Sequence, residues 1–217
     1  MFTDLLRLEA QGFSRASTAI ALRSIATCPN LFFRPMSRPV IGVALLSVVP
    51  EPGAGFHFHA QATALRDGAL PATLADWIEP RLPATGPLIS WETDDTLVTK
   101  LRGIADGTRH PRLAALIADP GERLRVLPRV LMGRHRRGTA PGVPCFCRCS
   151  AECQPELPAC FLPDPDQTER ELIDEAETAW AMWADLHAAF DDHAHPARIA
   201  LRCLAERRRA RGDTPIR

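Results

Sequence analysis

Three acidic residues follow a short apolar run in the middle of the sequence. The run is residues 88–91, and the acids after it are Glu92, Asp94 and Asp95. α/β proteins bind their ligands just beyond the carboxyl ends of strands, and carboxylates there can hold divalent cations. The Thr-Asp-Asp sequence is also an ordinary helix start, in which Thr93 or Asp94 caps backbone N–H groups. Both interpretations predict a strand before the acids and a helix after them.

A basic cluster lies in and beside a segment rich in glycine and proline, residues 133–144. Arginines in an exposed loop are typical of phosphate contacts, and a solvated charged loop is the alternative interpretation. The cluster comprises Arg129, Arg134, Arg136 and Arg137, with His135 among them. We take Arg134, Arg136 and Arg137 as candidate nucleic-acid-binding residues.

Cysteines are concentrated in the segment that follows. Cys145, Cys147, Cys149, Cys153 and Cys160 all fall within residues 145–160. Thiolates in a constrained loop can bind Zn²⁺, and the first four are candidate zinc ligands. Their spacing lacks the paired C-x₂-C arrangement of common zinc sites, so adventitious metal binding or readily oxidised thiols are the alternatives.

Two histidines, His57 and His59, alternate with apolar residues and so lie on one face of a predicted strand. They could bind a metal together. With no cysteine or carboxylate near them in sequence, the solvated face of a strand is the favoured interpretation.

Charge and hydropathy limit the class of protein. The 26 basic and 26 acidic residues balance, so nucleic-acid binding must come from local patches. A hydrophobic content of 46% over 217 residues predicts one compact domain. The longest apolar run, residues 40–49, is too short to span a bilayer, and the N-terminus lacks the basic segment of a secretory signal. We therefore expect a cytoplasmic protein with no membrane partner.

The elements that must position these residues follow from hydrophobic periodicity. Strands are predicted at residues 2–10, 40–49, 56–62 and 88–91. Helices are predicted at residues 14–27, 71–82 and 113–117. A further helix is predicted directly after the acidic turn, and a C-terminal pair is predicted at residues 168–211. Residues 121–131 are either helix or strand, and residues 133–166 form a cysteine- and proline-rich loop.

Strand pairing follows from the connections between these elements. Residues 40–49 form a hairpin with the next strand, and residues 88–91 run parallel to the first strand because a helix precedes them. Thr168 and Glu171 predict a capping box at the start of the first C-terminal helix. One face of this helix is a predicted apolar stripe of Leu172, Ala176, Ala179, Trp180, Trp183, Leu186 and Phe190. The opposite face is acidic, with Glu169, Glu171, Asp174, Glu175 and Glu177.

The last helix begins at Pro196 and ends in arginines. Arg207, Arg208, Arg209 and Arg211 complement the negative end of the helix dipole, with phosphate binding as the alternative.

This order of elements resembles the ribonuclease H-like fold, an α/β fold with a mixed sheet of antiparallel hairpin strands and parallel strands flanked by helices. More narrowly, it resembles the DEDD-type 3'-5' exonucleases related to the proofreading domain of B-family DNA polymerases. In that family carboxylates on the first strand, after the strand matching residues 88–91 and on a late helix bind two divalent cations, Mg²⁺ or Mn²⁺. The cations activate a water and stabilise the leaving oxygen.

The resemblance implies a catalytic set of Glu9, Asp94, Asp95 and Asp174. The segment LLRLEA places Arg7 at the family's first Asp and retains Glu9. Leu97 falls at the middle Asp, for which Asp94 or Asp95 must substitute. Asp174 falls at the late-helix acid, so Glu9 and Asp174 are the implied divalent-cation ligands. The positive charge of Arg7 at this position would oppose metal binding, since like charges repel.

Three functions are consistent with these observations. The first is a degenerate exonuclease-like domain that binds single-stranded nucleic acid or a protein partner with impaired or absent two-metal catalysis. The second is an active metal-dependent 3'-5' exonuclease with a rearranged carboxylate site. The third is a zinc-binding or redox-responsive structural protein built on the cysteine-rich loop.

Overall fold

The structure, a computed structural model, describes residues 13, 15–24, 39–53, 55–127, 163–188 and 195–212. Its strands are β1 Ser17–Ser24, β2 Val40–Glu51, β3 Gly55–Ala64, β4 Leu88–Ser90 and β5 Leu124–Val126. Its helices are α1 Ala72–Ile78, α2 Asp94–Arg102, α3 Pro111–Ala118, α4 Pro165–His187 and α5 Pro196–Ala210.

The five strands form one mixed sheet in the order β3-β2-β1-β4-β5. Strand β2 is antiparallel to both β1 and β3, whereas β1, β4 and β5 are mutually parallel. The predicted α/β class with a mixed sheet is therefore confirmed. Because β1 and β4 are parallel neighbours, their carboxyl ends lie at the same end of the sheet.

The centre of the sheet is formed by a segment that we predicted to be helical. Residues 17–24 are strand β1, so the prediction of a helix at residues 14–27 is wrong. Ala19 and Ala21 face one side of the sheet, and Ile20 and Leu22 face the other. Burial on both faces and pairing on both sides outweigh the helix propensity of alanine and leucine. The strand predicted at residues 2–10 lies outside the described residues.

The predicted hairpin is confirmed as β2 and β3, which pair from Gly42 with Ala64 to Glu51 with Gly55. His57 and His59 are exposed, as predicted for a solvated strand face. The outer edge of β3 is contacted by helix side chains at two points. Arg207 donates to the Phe58 carbonyl at 2.7 Å, and the Ala64 N–H donates to Glu169 Oε1 at 3.1 Å.

Two hydrophobic cores lie on opposite faces of the sheet. Helices α4 and α5 cover one face, whose buried residues include Leu46, Phe58, Leu172, Trp180 and Leu204. Helices α1, α2 and α3 cover the other, whose buried residues include Ile20, Leu45, Ile78, Leu97 and Leu113. Most of the free energy of folding should come from these two layers of buried apolar surface.

Helix α4 begins one turn earlier than the sequence predicted. Asp164 is its N-cap and accepts from the Asp166 N–H at 3.0 Å, with Pro165 in the first turn. The predicted capping box of Thr168 and Glu171 is therefore wrong, and Thr168 is buried. The predicted apolar stripe is present at Leu172, Ala176, Ala179, Trp180 and Trp183, which are buried. The prediction is wrong for Leu186, which is exposed near the end of the helix, and Phe190 lies outside the described residues.

Helix α4 approaches the sheet closely at Gly42. A Cβ added there would lie 2.8 Å from Leu172 Cδ1, so a glycine at this position of β2 lets the helix pack against the strand. About two turns further along the helix, Trp180 donates to Ser17 Oγ at 2.9 Å. Both contacts fix α4 across the central strands. None of the helices in the described ranges has the length and apolar character needed to cross a membrane.

Candidate functional site

An ion-pair cluster joins the carboxyl end of β1 to the first half of α4. Arg23 donates a hydrogen bond from one terminal nitrogen to Glu171 Oε2, and its other terminal nitrogen lies 3.8 Å from Glu175 Oε2. The three side chains are 26%, 42% and 32% exposed, so the cluster is half-buried at the end of the sheet. We call Arg23, Glu171 and Glu175 the Arg23 cluster.

The local structure explains how these three side chains meet. Alternation along β1 places Arg23 on the same face as Ala19 and Ala21, which is the face covered by α4. Glu171 and Glu175 are four residues apart, so they lie on one side of the helix. Trp91, just after β4, donates from Nε1 to the Glu175 carbonyl at 3.3 Å. The end of β4 is thereby attached to the same turn of α4.

A second ion pair lies at the same end of the sheet. Lys100 on α2 donates to Glu92 Oε1 and, at 3.4 Å, to the Leu22 carbonyl. The Lys100 and Glu92 side chains are only 17% and 16% exposed. Glu92, one of the three acids after β4, therefore holds α2 against the end of β1.

The electrostatics of Glu171 favour a charged carboxylate at neutral pH. Burial by itself raises the pKa of this carboxyl, but hydrogen bonds from Arg23 and Gln167 and the charges of Arg23 and Arg170 lower the pKa below its ordinary value. A carboxylate that binds protons weakly is a poor general base at neutral pH. The Arg23 cluster is thus suited to joining elements by charge and not to proton transfer.

The described acids of the predicted catalytic set are all exposed. Asp94 and Asp95 are exposed in the first turn of α2, beyond the carboxyl end of β4 as predicted. Asp174 is exposed on α4. Within the described ranges, no three histidine, cysteine or acidic side chains are grouped so that they could hold a metal ion. Glu9 lies outside those ranges, so the complete four-acid set stays a prediction.

Two further sets of predicted residues also lie outside the described part of the chain. These are the basic-loop residues Arg134, Arg136 and Arg137, and the candidate zinc ligands Cys145, Cys147, Cys149 and Cys153. Phosphate binding by the loop and zinc binding by the cysteines both stay predictions.

Arg23 is absent from the predicted site because the sequence predicts a helix over residues 14–27, where the structure has strand β1. The alternation of Thr18, Ile20 and Leu22 with small residues was the available signal for a strand. Lys100 carried a signal of its own, as the only lysine in an arginine-rich chain. Glu171 and Glu175 were predicted to be solvated, but they flank the buried stripe and reach the end of β1.

Comparison with known proteins adds no relative. The chain matches no protein-family model and has no significant match among curated proteins or solved structures.

Proposed function

We propose that this protein is a ribonuclease H-like domain that binds single-stranded nucleic acid without two-metal hydrolysis. The mixed sheet, with β2 reversed and β1, β4 and β5 parallel, is compatible with the ribonuclease H-like fold. This compatibility supports the proposal at the level of architecture, and the chemistry of the strand ends supports the loss of hydrolysis.

The observation that carries the proposal is Arg23 on β1. In the exonucleases that the sequence resembles, the first strand supplies carboxylates for divalent cations. Here the central strand has the sequence STAIALRS, which contains no acid, and Arg23 at its carboxyl end binds Glu171 and Glu175. In this proposal Arg23 has the role that the sequence analysis gave to Arg7, that of a cation opposing a metal.

Divalent cations do not fit this arrangement. A guanidinium and a dication about 4 Å apart repel by about 8 kcal/mol at an effective dielectric constant of about 20. The two glutamates that could hold a metal are already neutralised in part by Arg23. The ion pair instead joins β1 to α4, which is the structural task that bridging cations would otherwise perform.

The test is to incubate the full chain with labelled single-stranded DNA and RNA in Mg²⁺ and in Mn²⁺. We expect retention of the oligonucleotide, measured by fluorescence anisotropy, and no shortening on a denaturing gel. Metal-dependent shortening from the 3' end that Asp174→Asn abolishes would establish the active exonuclease instead. Absence of retention at low salt would contradict the proposal altogether.

A further inference from the structure

Helix α5 concentrates positive charge in a chain that is neutral overall. Residues 196–211 contain six arginines and one glutamate, a formal charge of +5, whereas the whole chain has 26 basic and 26 acidic residues. The arginines divide into two sets on different sides of the helix, and the two sets do different work.

The inner set holds α5 against α4 through a buried carboxylate. Glu177 is fully buried, which contradicts its predicted place on a solvated acidic face. Glu177 Oε2 lies 3.0 Å from Arg208 Nε and 2.7 Å from a terminal nitrogen of Arg211. The other carboxylate oxygen, Oε1, lies 3.9 Å from Arg207 Nε. A buried carboxylate requires such partners, because desolvating an unpaired charge is very costly. We call these four residues the Glu177 cluster.

The outer set forms a stripe along the opposite side of α5. Arg198, Arg202 and Arg209 are spaced i, i+4 and i+11, which places them on one side of a helix. Arg202 and Arg209 are exposed, whereas Ala197, Ala200 and Leu204 on the other side are buried. We call these three residues the α5 arginine stripe.

A shallow, open depression of about 240 Å³ lies on the stripe. Among the described residues, Arg198, Leu201, Arg202 and Ala205 line it, so two guanidinium groups border an apolar surface. Arginine binds phosphate oxygens in a planar, bidentate geometry and also stacks on aromatic rings. A depression of this kind matches the chemistry of an unpaired nucleotide, which presents a phosphate beside a flat base.

We propose that the α5 arginine stripe binds the phosphodiester backbone of single-stranded nucleic acid, with a base in the depression beside Leu201. This inference rests on the proposed function and assigns its binding surface. The Glu177 cluster serves the stripe indirectly, because it fixes α5 on the sheet and so presents the outer arginines from a rigid support. An acidic protein would engage the charges alone, whereas the apolar lining favours a nucleotide.

The deciding experiment measures binding of labelled oligo(dT) and oligo(U) of about 20 nucleotides, longer than a single site of this size. The variant is Arg202→Ala with Arg209→Ala. Its charge-matched control is Arg102→Ala with Arg109→Ala, two exposed arginines at α2 and just before α3. All four side chains are exposed, so each substitution should change stability by less than about 0.5 kcal/mol. Thermal unfolding checks this for both variants.

We expect the stripe variant to bind about tenfold more weakly at about 0.15 M salt. The slope of log K against log salt concentration should fall in magnitude by about 1.4, because two phosphate contacts are lost and each contributes about 0.7. The control should bind like the wild type. Comparison of oligo(dT) with oligo(U) shows whether the sugar contributes.

Three results would overturn this inference, and they are distinguishable. If the wild type binds no oligonucleotide, the proposed function fails as well. If the wild type binds and the stripe variant binds equally, the proposed function stands and the stripe is not the surface. The third result is a competition in which polyglutamate and unlabelled oligonucleotide, at the same concentration of negative charge, displace the labelled oligonucleotide equally well. In that case the stripe is a surface for acidic proteins.

Discussion

Arg23 determines the charge balance where β1 ends. One guanidinium faces two carboxylates, Glu171 and Glu175, which lie one helical turn apart. Removal of the guanidinium would change the formal charge of the Arg23 cluster from −1 to −2. The cluster therefore has the geometry of a cation site whose cation is a side chain of the protein.

The first prediction at the residue scale is that Arg23→Asp creates a divalent-cation site. Three carboxylates would then converge from β1 and α4, and oxygen ligands of this kind suit Mn²⁺. Electron paramagnetic resonance should detect bound Mn²⁺ in this variant and much weaker binding in the wild type. Arg102→Asp, which adds an acid to an exposed position of α2, is the matched control and should gain no site. Equal Mn²⁺ binding by the wild type and Arg23→Asp would contradict our view of Arg23.

The second prediction concerns acid stability. The pKa of Glu171 is lowered in the folded protein from its ordinary value of 4.5, so the unfolded chain binds this proton more tightly. Ionised Glu171 thus stabilises the fold above pH 4.5, and that stability is lost as the pH falls through the lower, folded-state pKa. Arg23→Ala should flatten this part of the stability profile, as measured by urea unfolding from about pH 3 to pH 6.

The control for the acid-stability experiment is Arg170→Ala. Arg170 is exposed and acts on the Glu171 pKa through its charge without a hydrogen bond, so this variant should keep most of the wild-type slope. Parallel wild-type and Arg23→Ala profiles below pH 4.5 would show that Arg23 does not lower the Glu171 pKa.

At the scale of elements, the docking of α5 depends on the Glu177 cluster. Arg208 hydrogen-bonds both Glu177 and Thr178, and Arg211 adds a second bond to the same carboxylate oxygen. The two helices are therefore joined by charge as well as by their apolar contact.

The third prediction follows from this arrangement. Arg208→Ala with Arg211→Ala should lower the free energy of unfolding by about 3–5 kcal/mol, because it leaves a buried carboxylate without hydrogen-bond donors. Each single substitution should cost less, since the other arginine remains. Arg209→Ala, on the same turn but exposed, is the matched control and should have an effect below about 0.5 kcal/mol. Chemical denaturation measures all four variants, and a double variant as stable as the control would contradict this account.

At the scale of the whole molecule, β1 is the central strand of the described sheet. It pairs with β2 on one side and β4 on the other, and residues 19–22 are all buried between the two cores. At the edge of the sheet, β5 has three residues, two of which are exposed.

The fourth prediction is a corresponding gradient in hydrogen exchange. Amides of β1 and β2 should exchange slowest, near the rate set by global unfolding, and amides of β5 should exchange markedly faster through local opening. Peptide-resolved mass spectrometry can measure the difference. Equal protection of β1 and β5 would show that the sheet opens only as a unit.

The sequence predicted much of this molecule and failed where local and tertiary preferences compete. The β2–β3 hairpin and the stripe of α4 were predictable because each has a clear period over many residues. Strand β1 was not, since its alanines and leucine favour a helix locally and only burial on both faces makes it a strand. The helix prediction at residues 14–27 also hid Arg23, whose side chain meets α4 because residues 17–24 form a strand. The burial of Glu177 was equally unpredictable, because its arginines are about 30 residues away in sequence.

The outer edge of β3 has a consequence for how this protein behaves at high concentration. Unpaired backbone groups on an edge strand are a template for adding a strand from another molecule, which is a common route to aggregation. The Arg207 and Glu169 side chains already occupy the outward carbonyl of Phe58 and the outward N–H of Ala64. An incoming strand would have to displace both charged groups, so the same helices that complete the core also discourage self-association along this edge.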